Sequence, residues 1–160
     1  MAVVLLTGMS GAGKSTVLGE LARRGHSVVD TDDGDWIQHV PLPGRPESEP
    51  LWREDAMTDL LDAHAGGDLF LAGTVANQGR FYPRFAAVVL LTAPVEVLLD
   101  RVATRTTNPF GRTAAQREQI RRDVAAVEPL LRARATVEID TRRPLAEVVA
   151  AVLQAATTPR

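Results

Sequence analysis

Residues 2–16 read Ala2-Val3-Val4-Leu5-Leu6-Thr7-Gly8-Met9-Ser10-Gly11-Ala12-Gly13-Lys14-Ser15-Thr16, an apolar run that breaks into glycines and ends on a lysine and two hydroxyls. The apolar run is the length of a buried strand, and residues 15–24 carry Val17, Leu18 and Leu21 at helical spacing before Gly25 stops them. Between strand and helix, residues 8–15 satisfy the Walker A pattern G-x4-G-K-[ST] in full, in the context that pattern requires. Its glycines let successive backbone N–H groups turn inward around phosphates, and the positive end of the helix adds to the field there. Gly8, Ser10, Gly11, Ala12, Gly13, Lys14, Ser15 and Thr16 are therefore the expected nucleotide-binding residues. Lys14 reaches the β- and γ-phosphates, Ser15 holds magnesium through its hydroxyl, and Thr16 lies by the α-phosphate.

Outward from this stretch, strands alternate with helices. Residues 27–30 form a short second strand, and residues 69–72, 86–91 and 136–140 supply three more. Helical patterns cover residues 51–65, a segment after Pro94 with Val95, Leu98, Leu99 and Val102, and residues 144–155. Thr113 and Gln116 fit a capping box that opens a further helix, which Pro129 should kink or end near Val127. The Pro/Gly-rich residues 41–50 predict a mobile loop. The expected fold is α/β: a three-layer P-loop arrangement in which a five-stranded parallel sheet carries helices on both faces. One domain over residues 1–160 is expected, with an acceptor-binding segment at about 33–66 and a lid at about 106–112.

Composition narrows the partners. The formal charge is -2 from 18 basic and 20 acidic side chains, which gives no basic excess for a nucleic-acid backbone. The apolar N-terminal run is too short to span a membrane, and the start carries no charged leader, so a cytoplasmic protein, monomeric or weakly dimeric, is expected. There is no cysteine, and His26, His39 and His64 lack metal-ligand spacing. Lys14 is the only lysine, so the Asn-Lys-x-Asp guanine signature of GTPases cannot occur. The strand at residues 69–72 ends without the acid that larger motor ATPases place there, whereas Asp30 ends the second strand and Asp32 and Asp33 follow. In an open α/β sheet those C-terminal strand ends face the ligand crevice. The alternative for Asp32 and Asp33 is the cap of a helix beginning near Gly34.

Val29-Asp30-Thr31-Asp32, Trp52-Arg53, Asp100-Arg101-x3-Arg105 and Asp140-Thr141-Arg142-Arg143-Pro144, with the phosphate loop, resemble the small P-loop kinases, and most of all shikimate kinases and their relatives. The resemblance runs along essentially the whole chain. It implies that Asp30 supports magnesium, while Asp32 holds the acceptor hydroxyl and takes its proton. It implies that Arg53 grips the acceptor, that Arg101 lies on the adenine, and that Arg105 contacts the transferring phosphates. Arg142 and Arg143 fall in the adenine loop. Gly73 corresponds to the family's glycine-rich segment beyond the third strand, which is Ala72-Gly73-Thr74 here. Trp36 and Trp52 flank the expected loop, where one lines the acceptor pocket or both pack in the core. Asn77, Gln78 and Arg80 form a polar cluster at the ligand-facing edge, suited to acceptor hydroxyls.

Three features depart from shikimate kinases: Ala72-Gly73-Thr74 stands for the family's three glycines, the lid reads Asn108-Pro109-Phe110-Gly111-Arg112, and Val127 stands where they carry a substrate-binding arginine. The expected activity is transfer of the γ-phosphate of ATP, with Mg2+, to a hydroxyl of a small molecule. Lys14, Asp32 and Arg105 are the catalytic candidates, Ser15 and Asp30 the metal candidates, and Asp32, Trp36, Arg53, Gly73 and Arg80 the acceptor candidates. Alternatives are a nucleoside or nucleotide kinase, and an ATP-binding regulatory module that turns over no acceptor.

Overall fold

The structure is a computed structural model, and it describes residues 2–105 and 109–158. Asn108 and the start of the expected lid lie outside the described residues. The strands are β1 (Val3–Thr7), β2 (Ser27–Asp30), β3 (Ile37–Pro41), β4 (Ser48–Trp52), β5 (Leu69–Ala72), β6 (Ala87–Thr92) and β7 (Val137–Asp140). The helices are α1 (Lys14–Arg23), α2 (Glu54–Ala63), α3 (Val95–Thr104), α4 (Ala114–Arg134) and α5 (Leu145–Thr157), with a 3-10 turn at Gln78–Arg84. Five strands form one parallel sheet in the order β2-β5-β1-β6-β7. β1 is central, pairing Leu5 with Leu71 on one side and with Val88 on the other.

Side chains alternate across the pleat, so each central strand feeds two cores. From β1, Val4 and Leu6 join Phe70, the α1 residues Val17, Leu18 and Leu21, and the α5 residues Val148, Val149 and Val152. Leu5 faces the other way and joins Leu69, Leu71, Trp52, Met57, Phe81 and Phe85. Coverage of both faces explains why these strands are apolar throughout. Among the described residues no helix is long and apolar enough to cross a membrane.

Three local expectations need correction. Residues 41–50 are not a loop throughout: β3 and β4 pair antiparallel from Ile37 opposite Trp52 to Pro41 opposite Ser48. A two-stranded ribbon leaves each strand one unpaired edge, and an edge accepts the prolines at 41 and 50 because no ladder hydrogen bond is asked of them there. Trp52, fully buried, anchors the end of the ribbon, so α2 begins at Glu54 and residue 51 is strand. The second correction is that α4 continues through Pro129 to Arg134. Leu131 is buried just beyond the proline, and Arg132 bonds both Glu128 and Glu138, so packing and ion pairs on either side outweigh the missing N–H. The third is that no helix begins near Gly34. The Asp33 amide donates to the Asp30 carbonyl and the Asp32 amide to the Asp30 side chain, a tight turn that leads into β3. The capping box at Thr113 and Gln116 is present as expected.

Candidate nucleotide and acceptor site

The loop from Thr7 to Lys14 lies at the C-terminal end of β1, against α3 and the end of β6. A Cβ on Gly8 would stand 2.5 Å from the Leu91 carbonyl oxygen, and one on Gly11 2.9 Å from that of Leu98, so neither position admits a side chain without moving backbone. Gly13, in the left-handed region at φ 103°, is the N-cap of α1 and offers no side-chain cap. The first N–H groups of α1 are therefore left to a ligand, and the helix field favours an anion there.

This loop forms the floor of a cleft of about 760 Å³, lined by residues 8–17 together with Asp32, Thr74, Arg101, Arg105, Thr141 and Arg143. Lys14 is the charged centre of the floor. Its Nζ donates to the carbonyls of Gly8 and Met9, and burial lowers its pKa to about 8 against the pull of the Asp32 and Asp30 carboxylates. Asp32, exposed at the cleft wall, has its pKa raised, first by partial desolvation and then by the neighbouring Asp30 charge. Asp30 accepts from the Ser15 hydroxyl at 3.4 Å, which brings the two expected magnesium ligands together. A hydroxyl and a carboxylate are hard oxygen donors, the set Mg2+ takes when phosphates and waters complete its shell. Among the described residues no group of three His, Cys, Asp or Glu side chains forms a separate metal cage.

The arginines divide. Arg101 braces the floor, donating to the Gly11 carbonyl at 3.2 Å, the Thr141 hydroxyl at 2.8 Å and the Thr141 carbonyl at 3.0 Å. Thr141 in turn donates to the Ala12 carbonyl at 2.7 Å. Arg105 lies across the cleft mouth, with one nitrogen on the Ser10 hydroxyl and another on the Phe110 carbonyl, both at 3.2 Å. Arg112 holds the Arg105 carbonyl at 2.6 Å. Arg143 lines the cleft, whereas Arg142 is outside its lining and forks onto Asp140. The adenine-loop expectation therefore retains Arg143, and Arg142 serves the end of β7.

The acceptor candidates other than Asp32 fall outside the cleft lining. Gly73 is buried: a Cβ there would meet the Thr31 hydroxyl at 2.3 Å and the Trp52 ring at 3.2 Å, so its smallness serves packing. The Trp52 indole donates to the Thr31 hydroxyl at 3.0 Å, which settles this tryptophan as core. Trp36 is half-buried against the same core, and its carbonyl accepts from the Arg53 amide at 2.7 Å. Arg80 pairs with Glu54 at 3.2 Å. Asn77 holds both backbone groups of Trp52, and Gln78 is buried among Thr7, Tyr82 and Val75. The expectation that Asn77, Gln78 and Arg80 read acceptor hydroxyls is corrected for Asn77 and Gln78, whose polar groups are taken by the chain itself, while Arg80 is exposed and lies outside the cleft lining. Thr74 and Thr141 were not among the expected residues, since a lone threonine after a strand has no motif.

Comparison with known proteins agrees with this geometry. Residues 4–122 match the family described as AAA domain. A shikimate kinase of Nitrobacter winogradskyi is 34% identical over 137 residues, which are 79% of this chain and 64% of that protein. The chain thus spans less than two thirds of that relative. A solved shikimate kinase from Acinetobacter baumannii in complex with shikimate has a TM-score of 0.65 at 20% identity, covering 96% of this chain and 92% of its own. A gluconokinase from Sinorhizobium meliloti 1021 has a TM-score of 0.57 at 20% identity, covering 97% and 91%. At such identities the structural likeness speaks for the fold, and it is the fold expected of residues 2–16. With its phosphate loop, its sheet order and a family match across most of its length, the chain belongs to the family described as AAA domain and has a P-loop fold shared with solved small-molecule kinases.

Proposed function

We propose that the protein is an ATP- and Mg2+-dependent kinase that transfers the γ-phosphate to a hydroxyl of a small, non-phosphorylated acceptor. The carrying observation is the convergence of the phosphate loop, Lys14, Ser15, Asp32 and Arg105 on one cleft, with Asp30 bonded to Ser15. Magnesium, when bound at Ser15 and Asp30, neutralises phosphate charge. The loop N–H groups and Lys14 hold the phosphates in line, and Arg105 at the cleft mouth meets the transferring group as its charge redistributes. Asp32 orients the acceptor hydroxyl and takes its proton. A raised pKa makes it a stronger proton acceptor than an ordinary aspartate.

One feature argues for an acceptor other than shikimate: Val127 stands where shikimate kinases carry a substrate-binding arginine. Of the acceptor candidates, the one that lines the cleft is the carboxylate Asp32, which disfavours a phosphorylated acceptor and so disfavours nucleotide kinase activity. In this reading the protein acts in the cytoplasm as a monomer or weak dimer. The test is ADP release with Mg-ATP against hydroxy acids, sugars, nucleosides, nucleotides and aminoglycosides. Turnover with one hydroxyl class is expected. ATP binding without turnover in any class would favour a regulatory module.

A further inference from the structure

Thr141 directly follows β7, and its hydroxyl joins the end of that strand to the phosphate loop. The hydroxyl accepts from Arg101 Nη1 at 2.8 Å, and it lies 2.7 Å from the Ala12 carbonyl oxygen and 3.2 Å from that of Thr92. It has one proton to give. The Thr92 carbonyl already takes the Thr141 amide at 2.8 Å, so the proton goes to the shorter contact, Ala12. Ala12 is buried, and among the described residues nothing else donates to its carbonyl.

The peptide unit between Ala12 and Gly13 is trans, so its C=O and its N–H point opposite ways. Holding the oxygen toward Thr141 therefore turns the Gly13 N–H away from Thr141. Among the described residues that N–H has no acceptor, and Gly13 lines the cleft. Turning the unit over would put the oxygen where the N–H now points and would take Gly13 out of the left-handed region it occupies at φ 103°. Glycine adopts either hand at little cost, so the loop does not choose by itself. From this geometry we infer that Thr141 is a positioning residue for phosphate binding: its hydroxyl selects the orientation of the 12–13 peptide that offers an anion an N–H in place of an oxygen. The inference rests on the ATP-binding reading above, and in it Thr141 acts through the loop.

Thr141→Val keeps the shape of the side chain and removes the hydroxyl. In the free variant the unit turns over and its oxygen takes water in the cleft, so a phosphate must turn it back and leave it buried without a donor. The test is calorimetry, with Mg2+ present, of ATP and of inorganic tripolyphosphate, which carries the phosphates and no nucleoside. Both affinities should fall about tenfold or more in Thr141→Val, the scale of an orphaned buried carbonyl. Thr141→Ser, which keeps the hydroxyl, should restore both, and Thr141→Ala should repeat the loss if the valine variant does not fold. The role of Thr141 is overturned by unchanged ATP affinity in a folded variant, by a serine variant no better than valine, or by weakening confined to ATP when the wild type binds both ligands. Should the wild type bind ATP alone, the serine comparison decides. Wild-type protein that binds no ATP overturns the nucleotide reading itself, so the two failures are distinguishable.

Discussion

The phosphate side and the acceptor side of the cleft use polar residues in opposite ways. On the phosphate side, side chains from distant parts of the chain hold backbone carbonyls: Arg101 and Thr141 grip Gly11 and Ala12, and Thr74 grips Gly8. On the acceptor side, Trp52 donates to the Thr31 hydroxyl, Asn77 to the Trp52 carbonyl, Gln78 to the Thr7 hydroxyl and Arg80 to Glu54, and Asp32 alone of the acceptor candidates lines the cleft. The difference teaches that a site for a fixed chemical group, phosphate, is built by bracing backbone, whereas a site for a variable group is left to few side chains on a rigid wall.

The largest test of this contrast is Lys14→Ala, because the phosphate side depends on one ammonium group. Turnover should fall by about 10³-fold or more, as when an electrostatic anchor of the transition state is removed. Near wild-type kcat in steady-state assays would show that the floor of the cleft is not the phosphate site.

Next comes the division between the two carboxylates. Asp32→Asn should cut turnover about 10²-fold while leaving Mg-ATP affinity nearly unchanged, the scale of a lost proton acceptor. Asp30→Asn should instead raise the magnesium concentration needed for half-maximal rate. Calorimetry beside rates at several magnesium concentrations separates them, and identical phenotypes would merge the two sides of the cleft into one.

A third test uses pH. Burial holds Lys14 at a pKa of about 8 against the pull of the Asp32 and Asp30 carboxylates, so the free protein loses that proton as pH rises past 8, whereas bound phosphates restore it. ATP binding should therefore take up a proton above pH 8, and affinity should fall by up to about tenfold per pH unit there. The sign for folding is opposite. The unfolded chain keeps the proton up to its ordinary value of 10.5, so the cost of burying a charged Lys14 is full below pH 8 and is relieved as pH rises between the two values. Calorimetry in buffers of different ionisation enthalpy measures the uptake, and none at pH 9 would mean that Lys14 stays charged in the free cleft.

The smallest effects belong to the acceptor wall and read on stability. Gly73→Ala should cost about 1–3 kcal/mol, since its Cβ meets the Thr31 hydroxyl and the Trp52 ring, both buried. Arg80→Ala should cost less than about 1 kcal/mol, because its pairing with Glu54 is exposed. Chemical denaturation compares them, and a larger loss for Arg80→Ala would mean that the wall is held by charge rather than packing.

By itself the sequence determined the parts whose chemistry is local: the Walker A spacing, the apolar strands, the capping box at Thr113 and Asp30 at a strand end all follow from residues close together in the chain. The five-stranded parallel sheet followed from their alternation. Tertiary structure decided the rest, because each decision turns on contacts between distant residues. Trp52 became core and Gly73 a packing glycine through Thr31, and the prolines at 41 and 50 found a ribbon edge once Trp52 was buried. Arg142 forks onto Asp140 at the end of β7, outside the cleft lining. Thr74 and Thr141 gained their places only when strands β5 and β7 were set beside β1 and β6, since a hydroxyl with no motif acquires meaning from the carbonyl that folding brings within its reach.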